Sequence, residues 1–428
     1  MPRGESLAHP KERFTSYGWM KRRDFLRRSA AAAAAVSGAG LLASCGDSGG
    51  GNGAGGSAIE VASPDNPVTL PVSEDNPPID SNLEPEAGPL KVFNWNDYLW
   101  TKVTKEFGKE YGVDVEISTF YNMQESVAKL RTGQVAFDVY FPTIDVLPKM
   151  VAGGLLQPLN HDYIPNLKAN VWPELADPFY DRGPNYSVPY VVYSTGIAWR
   201  KDMVTESIVA RSNPYDVFWD SQYSGKIGIY DDYREAISMV LLRNGIENIN
   251  TGSSKALSLA ETQLKEMADK VNIRTTIDGA YSKLPEGQFA VHQSWSGDII
   301  AGPFYMPGDD YGDPDGLLQF WWPAGEGVVG NDSITIPKNA KNPVLAHHFL
   351  NYLLDNKVAL KNFSWVGYQP PVEAMDPDKL VQQGYVVPNL KSAILEREAL
   401  DSPIQPLALT PSVDQRWQEA WSSFKSGV

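Results

Sequence analysis

Acidic and aromatic side chains come together at five places in the chain, each next to a segment with strand-like character. These places are residues 94–98, 142–145, 231–235, 294–298 and 330–332. Carboxylates pair with ammonium groups, whose burial without an opposite charge is very costly. Aromatic faces pack against methylene chains and attract cations, at roughly 0.5–2 kcal/mol for each cation over a ring. The combination therefore suits an organic polycation such as a polyamine.

Asp232 and Glu235 form the most specific pair of carboxylates. They are three residues apart at the start of a predicted helix, so they share one face of its first turn. An acidic residue at a helix start can also serve only as a cap, and a tryptophan after a strand can be core. Paired carboxylates can serve a glycosidase as well, so an extracellular hydrolase that uses Asp232 and Glu235 is one alternative.

Motifs of the common catalytic and metal-binding classes are absent from the sequence. There is no His-Glu-x-x-His pair, no Gly-x-Ser-x-Gly elbow and no phosphate-binding glycine loop. Cys45 is the only cysteine, which excludes thiolate zinc sites. We therefore expect a protein without catalytic residues, cofactor or metal.

The N-terminal region is typical of an export signal with a lipid anchor. A pair of arginines at residues 22 and 23 precedes an apolar run over residues 30–42. The run is too short to span a bilayer but fits the core of a signal peptide, of the twin-arginine type or the Sec type. It ends in a sequence that resembles a bacterial lipobox. We expect residues 1–44 to be removed, from a start at Met1 or Met20, and Cys45 to be lipidated on the outer face of the cytoplasmic membrane.

The charge balance disfavours several partners, although it can also serve solubility alone. The chain has 37 Lys and Arg against 52 Asp and Glu, a formal net charge of −15. A surface of this sign repels nucleic acid and anionic headgroups and attracts cations, so we expect no nucleic-acid partner and contact with the membrane only through the anchor.

Composition predicts a flexible tether before the folded region. Residues 46–57 are Gly-rich and residues 65–88 are rich in Pro and acidic residues, so residues 45–88 are assigned to the tether, whose second half could lie along the folded body. Strands and helices then alternate, which predicts α/β architecture with mainly parallel sheets. The predicted strands are residues 90–93, 113–118, 137–141, 226–230, 289–294 and 333–337, and the predicted helices include residues 123–131, 233–243 and 343–356. Ligand sites of such sheets lie beyond the carboxyl ends of the strands.

Six segments resemble the periplasmic spermidine/putrescine-binding proteins, which are the receptors of polyamine ABC importers. They are residues 90–99 (LKVFNWNDYL), 137–150 (FDVYFPTIDVLPKM), 187–199 (SVPYVVYSTGIAW), 226–236 (KIGIYDDYREA), 331–343 (NDSITIPKNAKNP) and 366–371 (VGYQPP). The resemblance covers nearly all of residues 89–428. It implies a two-lobed periplasmic-binding-protein fold of a type II-like kind, with a mainly parallel sheet flanked by helices in each lobe. It also implies that the ligand cleft lies at the hinge and that closure is a hinge motion.

The resemblance also implies lobe boundaries and ligand contacts. Residues 89–194 with 331–376 form the first lobe, and residues 195–330 with 377–428 the second. The implied substrate-binding residues are Trp95, Asp97, Tyr98, Thr143, Asp145, Asp232, Glu235, Trp295, Asp332 and Tyr368.

The implied roles divide between rings and polar groups. Trp95, Tyr98 and Tyr368 are walls, and Trp295 stacks on the methylene chain. Thr143 offers a hydroxyl. Carboxylates hold the amines: Asp232 with Glu235 at one end, and Asp332 at another.

Three positions depart from the family pattern. Asp97 stands where the family often has Glu, Asp145 where it typically has Tyr, and Gly330 where a Trp commonly stacks. The last two changes predict a wider and more acidic site, which leaves putrescine, spermidine or another cation open.

The leading hypothesis is a monomeric, lipid-anchored receptor that delivers a polyamine to an ABC permease. Alternatives are the same fold with another cationic or polar solute, such as an amino-acid derivative, an opine or a sugar, and a surface sensor or adhesin. An anionic solute is disfavoured, because Arg234, the nearest cation, has two acidic residues before it and one after it.

Overall fold

The structure is a computed structural model that describes residues 61–307, 313 and 316–427. The predicted signal, Cys45 and the first part of the predicted tether lie outside the described residues. In the described ranges, none of the helices combines the length and the apolar character needed to cross a membrane.

Strands and helices are numbered in chain order within the described residues. The strands are β1 (Leu90–Trp95), β2 (Val115–Phe120), β3 (Val139–Tyr140), β4 (Leu156–Gln157), β5 (Val188–Arg200), β6 (Ile227–Ile229), β7 (Arg274–Thr275), β8 (Val291–Trp295), β9 (Leu318–Trp321), β10 (Val328–Ile334) and β11 (Ile336–Pro337). The α-helices are α1 (Thr101–Tyr111), α2 (Met123–Thr132), α3 (Leu147–Ala152), α4 (Pro165–Asn170), α5 (Pro173–Ala176), α6 (Tyr233–Arg243), α7 (Ser254–Val271), α8 (Ser296–Ala301), α9 (Pro343–Leu353), α10 (Asn356–Val366), α11 (Pro377–Gln382) and α12 (Pro411–Lys425).

The first sheet is parallel, in the order β2-β1-β3. Helix α2 lies within one residue of the predicted bounds 123–131. The side chain of Asn122 caps α2 by accepting a hydrogen bond from the backbone N–H of Glu125 at 2.8 Å. Gly112 and Gly133 end α1 and α2 in the left-handed conformation, with φ of 70° and 62°. These short turns bring the ends of β1 and β3 to one edge of the sheet.

The second sheet is mixed, in the order β10-β5-β8-β6-β7 with β9 beside β5. β6 is parallel to β7 and β8, as an α/β lobe requires. β5 is 13 residues long, buried throughout, and antiparallel to β8, β9 and β10. The α/β architecture is confirmed. The second sheet contains, in addition to its parallel strands, the antiparallel pairs that β5 forms.

Buried hydrophobic side chains of the described residues form two large clusters. One surrounds the parallel sheet and helices α9 and α10, and the other surrounds β6 with helices α6, α7 and α12. β5 contributes to both, since Val191 belongs to the first cluster and Ile197 to the second. This arrangement agrees with two lobes joined by a crossing strand, and the exact lobe boundaries stay a prediction.

Residues 61–88 lie along the folded body, as the sequence analysis allows for the second half of the tether. The backbone of Val68 exchanges hydrogen bonds of 2.8 Å with Phe179 and Arg182. The carboxylate of Glu86 accepts from two backbone N–H groups in the first turn of α9, at 3.1 and 2.8 Å. A carboxylate at this position offsets the unpaired N–H groups and the dipole of the helix. Glu86, one of the acidic residues in the predicted tether, therefore caps helix α9.

Candidate functional site

Strand register places several of the predicted residues on one face of the mixed sheet. Gly330 of β10 lies opposite Tyr193 of β5, and Trp295 of β8 lies opposite Thr195 of β5. Directly opposed residues share a face, and so do alternate residues along a strand. Trp295, Thr195, Tyr193 and Asp332 therefore line the same face.

Asp332 is a buried carboxylate, 5% exposed, with one oxygen unsatisfied. Its Oδ2 accepts a hydrogen bond of 2.6 Å from the hydroxyl of Tyr98, and its Oδ1 has no partner in the described part of the chain. Burial raises the pKa of the Asp332 carboxyl to about 7 against the opposing effect of the Tyr98 bond, and the charge of Asp145 raises it too. Thr143, paired with Asp332 through a backbone bridge, also has an unpartnered buried hydroxyl. Both groups are placed to take a hydrogen bond from a ligand.

The start of α6 supplies two further carboxylates. Asp232 caps the helix by accepting from the backbone N–H groups of Arg234 and Glu235, at 2.8 and 3.1 Å. Glu235 accepts from the indole N–H of Trp295 at 2.7 Å and from the hydroxyl of Thr195 at 3.3 Å. Burial raises the pKa of Glu235 to about 7, the Trp295 bond lowers it, and the charge of Asp232 raises it. Asp232 therefore has the capping role, and Glu235 faces the rings.

Asp298 holds two aromatic walls in place. It follows Trp295 by three residues, but the predicted contacts did not include it. Its oxygens accept hydrogen bonds of 2.6 Å from the hydroxyls of Tyr230 and Tyr368. Trp295 stacks on Tyr230 with ring centroids 3.8 Å apart, and Tyr368 meets Tyr98 edge-on at 4.7 Å. Burial raises the pKa of the Asp298 carboxyl to about 7.

Tyr193 is a residue of the site that the sequence analysis missed. A Cβ atom at Gly330 would lie 2.6 Å from both Cζ and the hydroxyl oxygen of Tyr193. The ring therefore fills the space expected to be open at Gly330, and the wider site is corrected at this position. Besides burial, the charges that raise the pKa of the Tyr193 hydroxyl are those of Asp332, Glu235, Asp145 and Asp232. The available signal was the alternation along β5, which puts Tyr193 on the face of Thr195.

Trp95, Asp97 and Asp145 complete the predicted set. Trp95 packs on Phe120 of β2 with ring centroids 4.7 Å apart, which ties it to the first sheet. Asp97 has a left-handed backbone with φ of 55°, and its charge adds to the effect of burial in raising the pKa of Tyr281. The charge of Asp145 raises the pKa of Asp332. Asp145, the acidic residue that departs from the family pattern, is therefore close enough to affect the carboxylate on this face of the sheet.

We use the name aromatic–acidic box for Tyr98, Tyr193, Glu235, Trp295 and Asp332. Two sets of contacts hold them: Asp332 accepts from Tyr98, and Trp295 meets Tyr193 edge-on at 6.2 Å and donates to Glu235. Strand pairing brings the two sets together, because Asp332 and Tyr193 lie on the same face of the sheet. Residues 61–307, 313 and 316–427 contain no group of His, Cys, Asp and Glu side chains arranged to hold a metal ion. Buried carboxylates with raised pKa values are stabilised in their charged form by an incoming cation, so the box is suited to cationic groups.

Comparison with known proteins gives the family. Residues 102–388 match the model of the family described as "Bacterial extracellular solute-binding protein". The spermidine/putrescine-binding periplasmic protein of Salmonella typhimurium is 28% identical over 283 residues, which are 66% of this chain and 77% of that protein.

Two solved structures show the same fold. The TpPotD lipoprotein of Treponema pallidum aligns with a TM-score of 0.65 and 23% identity, over 78% of this chain and 98% of that one. The spermidine/putrescine ABC transporter substrate-binding protein PotD of Streptococcus pneumoniae aligns with a TM-score of 0.61 and 22% identity, over 79% of this chain and 98% of that one.

These findings confirm the predicted fold class and the predicted class of protein. Both structural neighbours share the fold of this chain, and the matching family consists of solute-binding proteins rather than enzymes. The family is extracellular, which supports export of this chain. The chain belongs to the family of bacterial extracellular solute-binding proteins.

Proposed function

We propose that the protein binds a polyamine, spermidine or putrescine, in the aromatic–acidic box and delivers it to the permease of an ABC importer. The observation that carries the proposal is the unsatisfied Oδ1 of Asp332, a buried carboxylate that is bonded to Tyr98 and lies on the same sheet face as Tyr193. A buried acceptor without a donor costs about 1–3 kcal/mol, so an ammonium group that donates to it gains this energy on binding.

Carboxylates on two different elements suit a ligand with more than one charge. Glu235 lies on α6 and Asp332 on β10, and the charges of both act on Tyr193. Along β5, Val191 is paired with Asp332 and Thr195 is hydrogen-bonded to Glu235, so Tyr193 lies between the two carboxylates. A diammonium chain that runs from Glu235 to Asp332 places its methylene groups against the rings of Tyr193 and Trp295, where apolar contact and cation–π attraction both contribute.

An anionic solute is disfavoured by the contacts of Arg234. Its guanidinium donates to the carbonyl of Leu407 at 3.0 Å and to Asn250 Oδ1 at 2.6 Å, and it lies 4.9 Å from the ring centroid of Trp417. These contacts occupy the cation that the sequence places nearest to the site, and they hold it in the packing of α6 against α12.

The comparisons agree with a polyamine. Besides the Salmonella protein, the putrescine-binding periplasmic protein of Escherichia coli is 25% identical over 362 residues, which are 81% of this chain and 93% of that protein. One relative is named for spermidine and putrescine and the other for putrescine alone, and both names support a polyamine as the ligand. The choice between putrescine and spermidine is made by measurement.

The lipid anchor belongs to the same proposal. A signal at residues 1–44 exports the chain, and lipid on Cys45 retains it at the outer face of the cytoplasmic membrane as a monomer. The lipobox-like sequence supports this, and a lipoprotein is among the structural neighbours. Cys45→Ala tests it: the variant moves from the membrane fraction to the soluble fraction. A variant that stays in the membrane fraction contradicts the anchor.

A thermal-shift assay tests the ligand. Putrescine or spermidine raises the melting temperature of the soluble chain that begins after Cys45, because a ligand that binds only the native state stabilises it. Lysine, which carries a carboxylate, is the matched control and produces a much smaller shift. Equal shifts with lysine, or none with any polyamine, contradict the proposal.

A further inference from the structure

Tyr193 and Gly330 are directly opposed partners in the pairing of β5 with β10, and they share one volume. A Cβ atom at Gly330 would lie 2.6 Å from Cζ and the hydroxyl oxygen of Tyr193 and 2.9 Å from its Cε2. The far edge of the ring therefore lies over the backbone of Gly330. Gly330 does not have a positive φ, so its backbone conformation does not require glycine. The position requires glycine because a side chain there would overlap the ring of Tyr193.

The ring also lies at the centre of the aromatic–acidic box. Trp295 meets it edge-on at 6.2 Å, and the charges of Asp332 and Glu235 both act on its hydroxyl. Val191 is paired with Asp332 and Thr195 is hydrogen-bonded to Glu235, so on this face of β5 a chain that joins the two carboxylates crosses the ring of Tyr193. The ring of Tyr193 and the absence of a side chain at Gly330 therefore set the width that is available to the middle of the ligand.

We propose that Tyr193 is a specificity-determining residue: its ring supplies from β5 the wall that Gly330 does not supply from β10, and it keeps the box narrow enough to select unbranched alkyl diammonium chains over branched ones. The inference rests on the polyamine binding proposed above and narrows it to linear chains. A flat ring packs against methylene groups along their length, whereas a branch on the chain meets the ring and is rejected.

The first test compares two ligands of equal charge, putrescine and a putrescine with a branching methyl group, by calorimetry. The wild type prefers putrescine by about tenfold or more, the size of discrimination that one methyl group gives in a closed site. Tyr193→Gly leaves both opposed positions without a side chain, so it weakens putrescine binding and reduces the preference at least several-fold. Tyr193→Phe keeps the ring and is the matched control, with a preference like that of the wild type.

The second test moves the aromatic wall from β5 to β10. Gly330→Trp alone meets the ring of Tyr193 and loses putrescine binding. The double variant Tyr193→Gly with Gly330→Trp moves the wall to β10 and recovers affinity to within about tenfold of the wild type, a non-additive result expected only of side chains that share one volume. If Gly330→Trp does not fold by circular dichroism, the comparison of Tyr193→Gly with Tyr193→Phe decides the question.

The outcomes separate this inference from the proposed function. A wild type that binds neither diamine overturns both. A wild type that binds putrescine, with an unchanged preference in Tyr193→Gly, overturns this inference alone, because a purely structural role lowers both affinities equally. A double variant that folds and binds no better than a folded Gly330→Trp overturns it as well.

Discussion

The indole N–H of Trp295 donates a hydrogen bond of 2.7 Å to the carboxylate of Glu235. The stacking wall and the carboxylate, which the family resemblance treats as separate ligand contacts, therefore form one unit. Because this bond favours the charged form of Glu235, the ring also affects how readily the carboxylate ionises.

Trp295→Phe separates the two roles, since it keeps a ring and removes the N–H donor. Without the donor the pKa of Glu235 rises further, so we expect about tenfold weaker putrescine binding near neutral pH. The loss shrinks at a pH well above 7, where Glu235 ionises in both proteins. Calorimetry across pH measures this, with Trp421→Phe on α12 as the control. A loss that is equal at every pH would show that the N–H group does not act through Glu235.

Stability without ligand should increase as the pH falls. Burial raises the pKa values of Glu235, Asp298 and Asp332 to about 7, from ordinary values near ~4. At a pH between ~4 and about 7, the folded chain holds protons on these carboxyls that the unfolded chain has lost. These groups therefore favour folding increasingly as the pH falls through this window. Scanning calorimetry should show a higher melting temperature near the lower end of this window. Glu235→Gln flattens the trend and Glu266→Gln, an exposed control, does not. Identical trends in both variants would contradict this origin.

Asp298 should act on ligand binding through the two tyrosines that it holds. Asp298→Asn keeps the shape but replaces one acceptor oxygen by a donor, so the hydrogen bond of Tyr230 or of Tyr368 is lost. We expect a lower melting temperature and several-fold weaker binding. Double-variant cycles with Tyr230→Phe and with Tyr368→Phe should show clear non-additivity in one of the two, because the amide loses the hydrogen bond of one of these tyrosines. Strict additivity in both cycles would show that Asp298 affects binding by another route.

Glu86 should stabilise the fold without any effect on the ligand. Glu86→Ala removes the acceptor for two N–H groups at the start of α9 and should lower the free energy of unfolding by about 1 kcal/mol. Glu84→Ala, in the same segment but exposed, is the control and should cost much less. Denaturant titration measures both. Equal losses, or a change in putrescine affinity, would contradict a capping role.

Structural features that depend only on neighbouring residues, such as helix ends, could be predicted from local signals in the sequence. Residues 123–131 are predicted as a helix, and in the structure Asn122 caps α2 at one end while Gly133 ends it in the left-handed conformation. Asp232 shows the limit of such signals, because the same residue type predicts a cap and a ligand contact. The structure shows the cap directly, and the ligand contact stays a proposal.

Features that depend on distant residues could not be predicted from spacing. Tyr193 covers Gly330 only because β5 and β10 pair in one register, and the two residues are far apart in the chain. Residues 61–88 have the composition of a linker, yet hydrogen bonds to residues near 180 hold them on the body. Both cases need the tertiary fold before the contact can be seen.

Titration calorimetry with the wild type and Asp332→Asn tests the central claim most directly. The wild type should bind putrescine or spermidine saturably, with one molecule per chain. Asp332→Asn replaces the charged partner of an ammonium group by an amide of the same shape, and it should reduce the affinity by at least about tenfold. A wild type that binds no polyamine, or an Asp332→Asn variant that binds as tightly as the wild type, would contradict the account.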